Sequence, residues 1–161
     1  MKPLDDFLPS YEFAERHTIA IDADAAGADR AVREVTFREV PAVRALLLAR
    51  GLGAGSAGDT VLGAMRRRAT VLDDVPGEGI VLSLSGRFWR VRGSVGDEPA
   101  ATAVVEFRAA GGGLTTETRV HVPDPGSRRK FACYWRVIRP FSGLTRILVL
   151  RAAKRRAERW V

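Results

Sequence analysis

Three short stretches carry residue types at spacings that could do chemistry. GAGSAG at 53–58 fits G-x-G-x-x-G, and Asp73 and Asp74 follow at the separation of a ribose contact. LTTETRVHV at 114–122 sets Glu117, Arg119 and His121 on one strand face, a carboxylate, a guanidinium and an imidazole in a row suited to acid–base work. GRFWRVRG at 86–93 puts Arg87, Trp89 and Val91 on one face and Phe88, Arg90 and Arg92 on the other, a mouth that would draw an anionic head group toward aromatics. Each stretch also has a plainer reading. The dinucleotide fingerprint has meaning only between a strand and a helix of a βαβ unit. Here LLLAR reads as a helix end, and the chain after Asp74 reads as antiparallel sheet, so a flexible loop is expected. The Glu117 row reads as a solvated outer face with cross-strand charge pairs. Its opposite face then offers an interior only Thr116 and Thr118 as polar groups. The arginine-flanked run reads as an edge strand whose long cationic side chains discourage edge pairing.

The remaining chemistry-bearing residues are scattered. His17 and His121 have no spacing with Cys133 or the acids that suggests a metal site, and no serine sits in a nucleophile elbow, so neither metal nor cofactor is expected. Cys133, the sole cysteine, excludes an intramolecular disulfide and is expected to be a buried, inert thiol. Arg66–Arg68 reads as a solvated loop or strand end. The basic tail from Arg151 to Arg159 suits the C-terminal end of its own helix dipole. With Trp160 it is also the candidate for peripheral contact with an anionic membrane.

The composition sets bounds on these readings. The 161 residues suit one domain, 1–161, with 46% apolar and 28% charged content. The net charge of +7 is nearly all arginine, for Lys2, Lys130 and Lys154 are the only lysines. The cations are spread along the chain instead of gathered into one stripe, which argues against nucleic acid as partner. The N-terminal MKPLDDFLPSYEF has acids where an export signal needs an apolar run, so a cytoplasmic location is expected. FACYWRVIRPFSGLTRILVL at 131–150 has the length of a bilayer span, yet Arg136, Arg139 and Arg146 together would cost roughly 8–10 kcal/mol near its centre. It is not a transmembrane helix.

The elements that must position these residues follow from periodicity. HTIAI at 17–21 reads as a strand. DADAAGADRAVREV then suggests a turn and short helix with Asp24 or Asp29 as N-cap, and Pro41 opens a second helix that stops at Gly51. The residues from there to Arg68 fit no single period. From residue 69 the period is two, in ATVLDDV, GIVLSLS, FWRVRGSV, ATAVVEFRA and LTTETRVHV, separated by Pro76-Gly77, Gly86, GDEP and GGG. Successive strands with tight links make an antiparallel meander. Asp124-Pro125 caps a long terminal helix on which Phe131, Tyr134, Ile138, Phe141, Thr145, Leu148 and Ala152 form a stripe, with Trp135 and Val149 beside it. Burying its five large members is worth about 7–15 kcal/mol gross. Arg136, Arg139, Arg146 and Lys154 fall on its flank or back, Ile147 and Leu150 lie off it, and a bend is expected at Pro140.

This order resembles the helix-grip fold of the START-like, or SRPBCC, superfamily, α+β proteins that include polyketide cyclases and lipid-transfer proteins. The similar words are YEFAERHTIAIDAD at 11–24, ADRAVREV at 28–35, GRFWR at 86–90, GGGLTTETRVHVPDP at 111–125 and YWRVIRPFSGLTR at 134–146, the last and GRFWR being similar to an uncharacterised bacterial branch. Members often carry a proline after the first strand and an aromatic in the following helix; this chain has Asp24-Ala25 and Ala28-Asp29 there. The resemblance implies a curved antiparallel sheet gripping the terminal helix, two short helices after the first strand, and an apolar space between sheet and helix. Lining residues would be Phe88, Trp89 and Phe107 with Thr116 and Thr118 from the sheet, and Phe131, Tyr134, Trp135 and Ile138 from the helix. Three readings compete. In the first, the chain binds a hydrophobic or amphipathic small molecule. In the second, it is a cyclase or dehydratase using Tyr134, His121 or Arg90. In the third, it is an interaction module with a filled cavity and a homodimer contact through Ile147 and Leu150.

Overall fold

A computed structural model describes residues 1–51, 54–89 and 101–160. Gly53 of the glycine motif, and Arg90, Val91 and Arg92 of the arginine-flanked run, lie outside the described residues. The chain opens with a 3-10 turn, Leu4–Asp6, and continues as β1 (Phe13–Ala20), α1 (Ala25–Glu34), α2 (Pro41–Ala49) and α3 (Val61–Arg66). The meander β2 (Thr70–Val75), β3 (Gly79–Ser85), β4 (Thr102–Ala110) and β5 (Gly113–His121) precedes α4 (Pro125–Ala157). The protein is α+β, with a five-stranded antiparallel sheet ordered β1-β5-β4-β3-β2 curved around a long C-terminal helix. Thus β1, first in sequence, pairs with the last strand and closes one edge.

The local chemistry explains most boundaries. Asp24 caps α1 by accepting from the Gly27 N–H at 2.7 Å, and Asp124 caps α4 through the Ser127 N–H at 2.6 Å. Pro41 and Pro125 occupy first-turn positions, where no amide is missed. Pro76 and Gly77 turn β2 into β3, with Gly77 at φ 85°, a conformation that favours glycine at the third position of such a turn.

Several expectations need correction. The first strand begins at Phe13, four residues before His17, because its inward positions include Glu15 and His17 and do not look apolar. Three short helices follow it, since residues 61–66 form α3 behind the Thr60 cap. Phe88 and Trp89 lie in a turn after β3, not in a strand. Cys133 is exposed, because it sits on the helix face opposite Phe131 and Trp135. Leu150 is buried in the core, which removes it from any dimer contact. Helix α4 spans Pro125–Ala157 with Pro140 inside it, where the expected bend falls.

The core divides in two along α4. Its C-terminal half, through Val149, Leu150, Ala152, Ala153 and Ala157, packs with Ala28, Ala31 and Val32 of α1 and with Ile80, Leu82 and Leu114 of the sheet. Its N-terminal half, through Phe131, Tyr134 and Trp135, packs with Phe13, Ala101, Ala103, Val120, Val122, Phe88 and Trp89. On the opposite side of the sheet, Leu4 of the N-terminal turn covers Val81 and Val104.

Polar clasps hold the layers. Asp29, 2% exposed, accepts from Arg33 Nε at 2.8 Å and from the Gly77 N–H at 2.9 Å. Arg33 also reaches Asp74 at 2.8 Å and donates to the Gly79 carbonyl at 3.0 Å, tying α1 to the β2–β3 hairpin. At the other end Arg156 of α4 meets Glu39 at 2.8 Å and Glu34 at 3.4 Å. The basic tail therefore serves partly as an internal clamp. Trp160 lies under Arg30 and Arg156, with 4.9 and 5.9 Å between guanidinium and ring centre.

Candidate functional site

Between the two halves of the core, the middle of α4 stands over an unfilled space. A cavity of about 850 Å³ lies between the sheet, α2, α3 and α4. The sheet supplies Leu84, Ala103, Val105, Phe107, Thr118 and Val120; α2 supplies Val43, Leu46 and Leu47; α3 supplies Val61, Ala64 and Met65. Helix α4 supplies Phe131, Tyr134, Trp135, Ile138, Phe141, Ser142, Thr145, Arg146 and Val149. At its central turns α4 presents Ser142, Thr145 and Arg146 instead of large apolar groups, so the two packed ends do not meet.

The charged lining has one sign. Arg50, Arg68, Arg87 and Arg146 face the cavity, and no aspartate or glutamate does among the described residues. The Arg50 guanidinium lies 4.9 Å from the Tyr134 ring centre and donates to the Phe88 carbonyl at 3.2 Å. Burial pushes the Tyr134 phenol above its ordinary pKa, against the pull of the Arg50 charge.

A polar seam runs beside the cavity where α4 crosses β1 and β5. Glu15 and His17 point inward from β1, opposite Thr118 and Thr116 of β5. Glu15 Oε1 lies 3.0 Å from His17 Nε2, while Glu15 Oε2 is buried without a partner. Gly143 makes this approach feasible, for a methyl group there would stand 2.7 Å from Glu15 Oε1 and 3.2 Å from His17 Nε2. Three residues on, Arg146 donates through Nη1 to Thr116 Oγ1 at 3.1 Å and through Nε to Ser142 Oγ at 3.4 Å. Burial pushes the Arg146 pKa down to about 10, partly opposed by the Glu15 charge, so the guanidinium remains protonated at neutral pH. Beyond the seam, a groove of about 640 Å³ runs between β1 and the outer side of α4, lined by Glu15, His17, Trp135, Arg136, Arg139 and Ile147 among others.

The structure brings Phe88, Phe107, Thr118, Phe131, Tyr134, Trp135 and Ile138 together around the cavity. Trp89 and Thr116 are not part of its wall. Trp89 packs edge-on against Phe131 at 6.1 Å, and Thr116, wholly buried, lies behind the Arg146 guanidinium it accepts from. Of the acid–base row, Arg119 bonds Glu117 at 2.7 Å and Asp5 at 2.6 Å, and His121 Nδ1 is 3.3 Å from Glu12; all three point away from the cavity. The described part of the glycine motif is a loop between α2 and α3, so no strand precedes it. Among the described residues no three potential metal ligands converge, and no helix is long and apolar enough to cross a membrane.

Arg146, Glu15 and His17 escaped the sequence reading. The helical stripe puts Arg146 on the flank or back of the terminal helix, and it turns inward instead. The available signal was parity: Phe13 and Ile19 share a strand face with Glu15 and His17.

These elements define a helix-grip arrangement with an unfilled space beneath the helix. Comparison with family models and with curated proteins returns no match. Among solved structures the chain is similar to the solution NMR structure of an AHSA1-like protein from Rhizobium etli, at 17% identity and a TM-score of 0.39, over 88% of this chain and 82% of that one.

Proposed function

We propose that residues 1–161 form one START-like domain that binds a hydrophobic or amphipathic small molecule, lipid-like, aromatic or polyketide-like, between sheet and terminal helix. The observation that supports this most is the cavity of about 850 Å³, inside the roughly 300–1,000 Å³ range of ligand pockets. Its walls are mostly aliphatic and aromatic, with few polar groups, the composition such pockets share. Phe107, Phe131 and Ile138 supply apolar wall, and Tyr134 with Arg50 forms a polar edge. A cyclase or dehydratase reading draws only on Tyr134 among its three named groups, since His121 points away and Arg90 lies outside the described residues.

The test is native mass spectrometry of gently purified protein together with titration by Nile red, a neutral apolar dye. The reading expects saturable binding in the wild type and its loss in Ile138→Trp, whose indole would occupy the cavity while circular dichroism stays native. Absence of both a co-purified molecule and saturable binding contradicts the reading.

A further inference from the structure

The wall of the cavity is mostly apolar, but its polar groups form a pattern that an uncharged hydrocarbon does not need. Four arginines line it, and no aspartate or glutamate stands in its wall among the described residues. Three of the four, Arg50, Arg68 and Arg87, follow the C-terminal ends of α2, α3 and β3, whereas Arg146 comes from the centre of α4. Arg146 is set apart by its place at the centre of α4, against β5. It donates to two neutral hydroxyls, Thr116 and Ser142, and no carboxylate among the described residues is within ion-pair distance of it. A half-buried guanidinium without a paired anion carries a desolvation penalty that an anion in direct contact would offset.

A second group points to the same place. Thr118 lines the cavity and is 5% exposed, and its Oγ1 is buried beneath that wall with no hydrogen-bond partner. Thr118 is two positions along β5 from Thr116, the residue that holds Arg146, so their side chains share one face about 7 Å apart. A planar oxyanion between them would accept from the free guanidinium edge on one side and from the hydroxyl on the other.

Resting on the binding reading above, we propose that the ligand is an amphipathic monocarboxylic acid, held head-inward with its carboxylate between Arg146 and Thr118 and its apolar body along Ile138, Val105 and Val120. A single negative charge matches the one guanidinium at this point of the wall. The nearby Glu15 charge, just across Gly143, disfavours a dianion such as a phosphate monoester.

The experiment displaces Nile red with three probes sharing one chain length: dodecanoate, methyl dodecanoate and dodecan-1-ol, at pH 7.5. In the wild type, dodecanoate is expected to bind about tenfold more tightly than either neutral probe, the discrimination of one charge-assisted contact. Arg146→Met should bring that ratio to about one while the neutral probes keep their affinity. Thr118→Val, which keeps the side-chain shape, should lower it about threefold and serves if Arg146→Met fails to fold. Equal binding of acid and ester in the wild type, or an acid preference unmoved by Thr118→Val, overturns the carboxylate site yet leaves the binding reading standing. Failure of all three probes and of Nile red overturns both.

Discussion

Gly143 is where α4 passes against Glu15 and His17 of β1, and its missing side chain leaves room for the polar seam. A methyl group there would meet Glu15 Oε1 at 2.7 Å, well inside van der Waals contact. Gly143→Ala therefore sets two effects against each other. The helix gains about 1 kcal/mol of propensity, while overpacking a buried, hydrogen-bonded carboxylate costs about 1–3 kcal/mol. A net loss of about 1 kcal/mol is expected from urea unfolding, and a gain of similar size would mean that Glu15 is not held against the helix. This scale was the least legible in the sequence. Glu15, His17 and Arg146 are charged or titratable types that solvent usually claims. Only the pairing of β1 with β5 beneath α4 turns them inward, and that pairing has no local signature. The aromatic residues of α4 were legible, because Phe131, Tyr134, Trp135 and Ile138 recur at helical spacing.

Elements were easier to infer than their contacts. Asp24, Pro41, Asp124 and Pro125 mark helix starts by capping chemistry that acts within three residues, and the two-residue period marks β2 to β5. Helix α3 was hidden because six residues behind a glycine-rich loop hold too few turns to show a period. The join between α1, α4 and the segment after α1 carries a pH prediction. Burial raises the Glu39 carboxyl pKa, but hydrogen bonds from Arg156 and Thr36 outweigh it, so Glu39 titrates below its ordinary value in the folded chain. The stability this contributes is complete above the unfolded-state value, about 4.3, and is lost as pH falls through the lower folded value. Thermal unfolding between pH 7 and pH 3 should show the wild type losing Tm more steeply than Glu39→Gln. Parallel curves for the two proteins would show that the Arg156–Glu39 pair does not bind α4 to the rest.

At the scale of the whole molecule, a long helix grips a curved sheet firmly at both ends and loosely in the middle. The order of elements made that architecture legible through its resemblance to the helix-grip fold. The size of the space did not follow from it, since volume depends on which side chains fill the central turns. Ser142, Thr145 and Arg146 fill them poorly, and α2 and α3 complete the enclosure without closing it. The apolar part of this space, beside Ile138, Val105 and Phe107, is open to an apolar guest. The most direct measurement is a crystal of the ligand-free protein pressurised with xenon. Xenon density is predicted between Ile138, Val105 and Phe107, and it should vanish in Ile138→Trp. Continuous side-chain density across that space, with no xenon bound, would contradict the account.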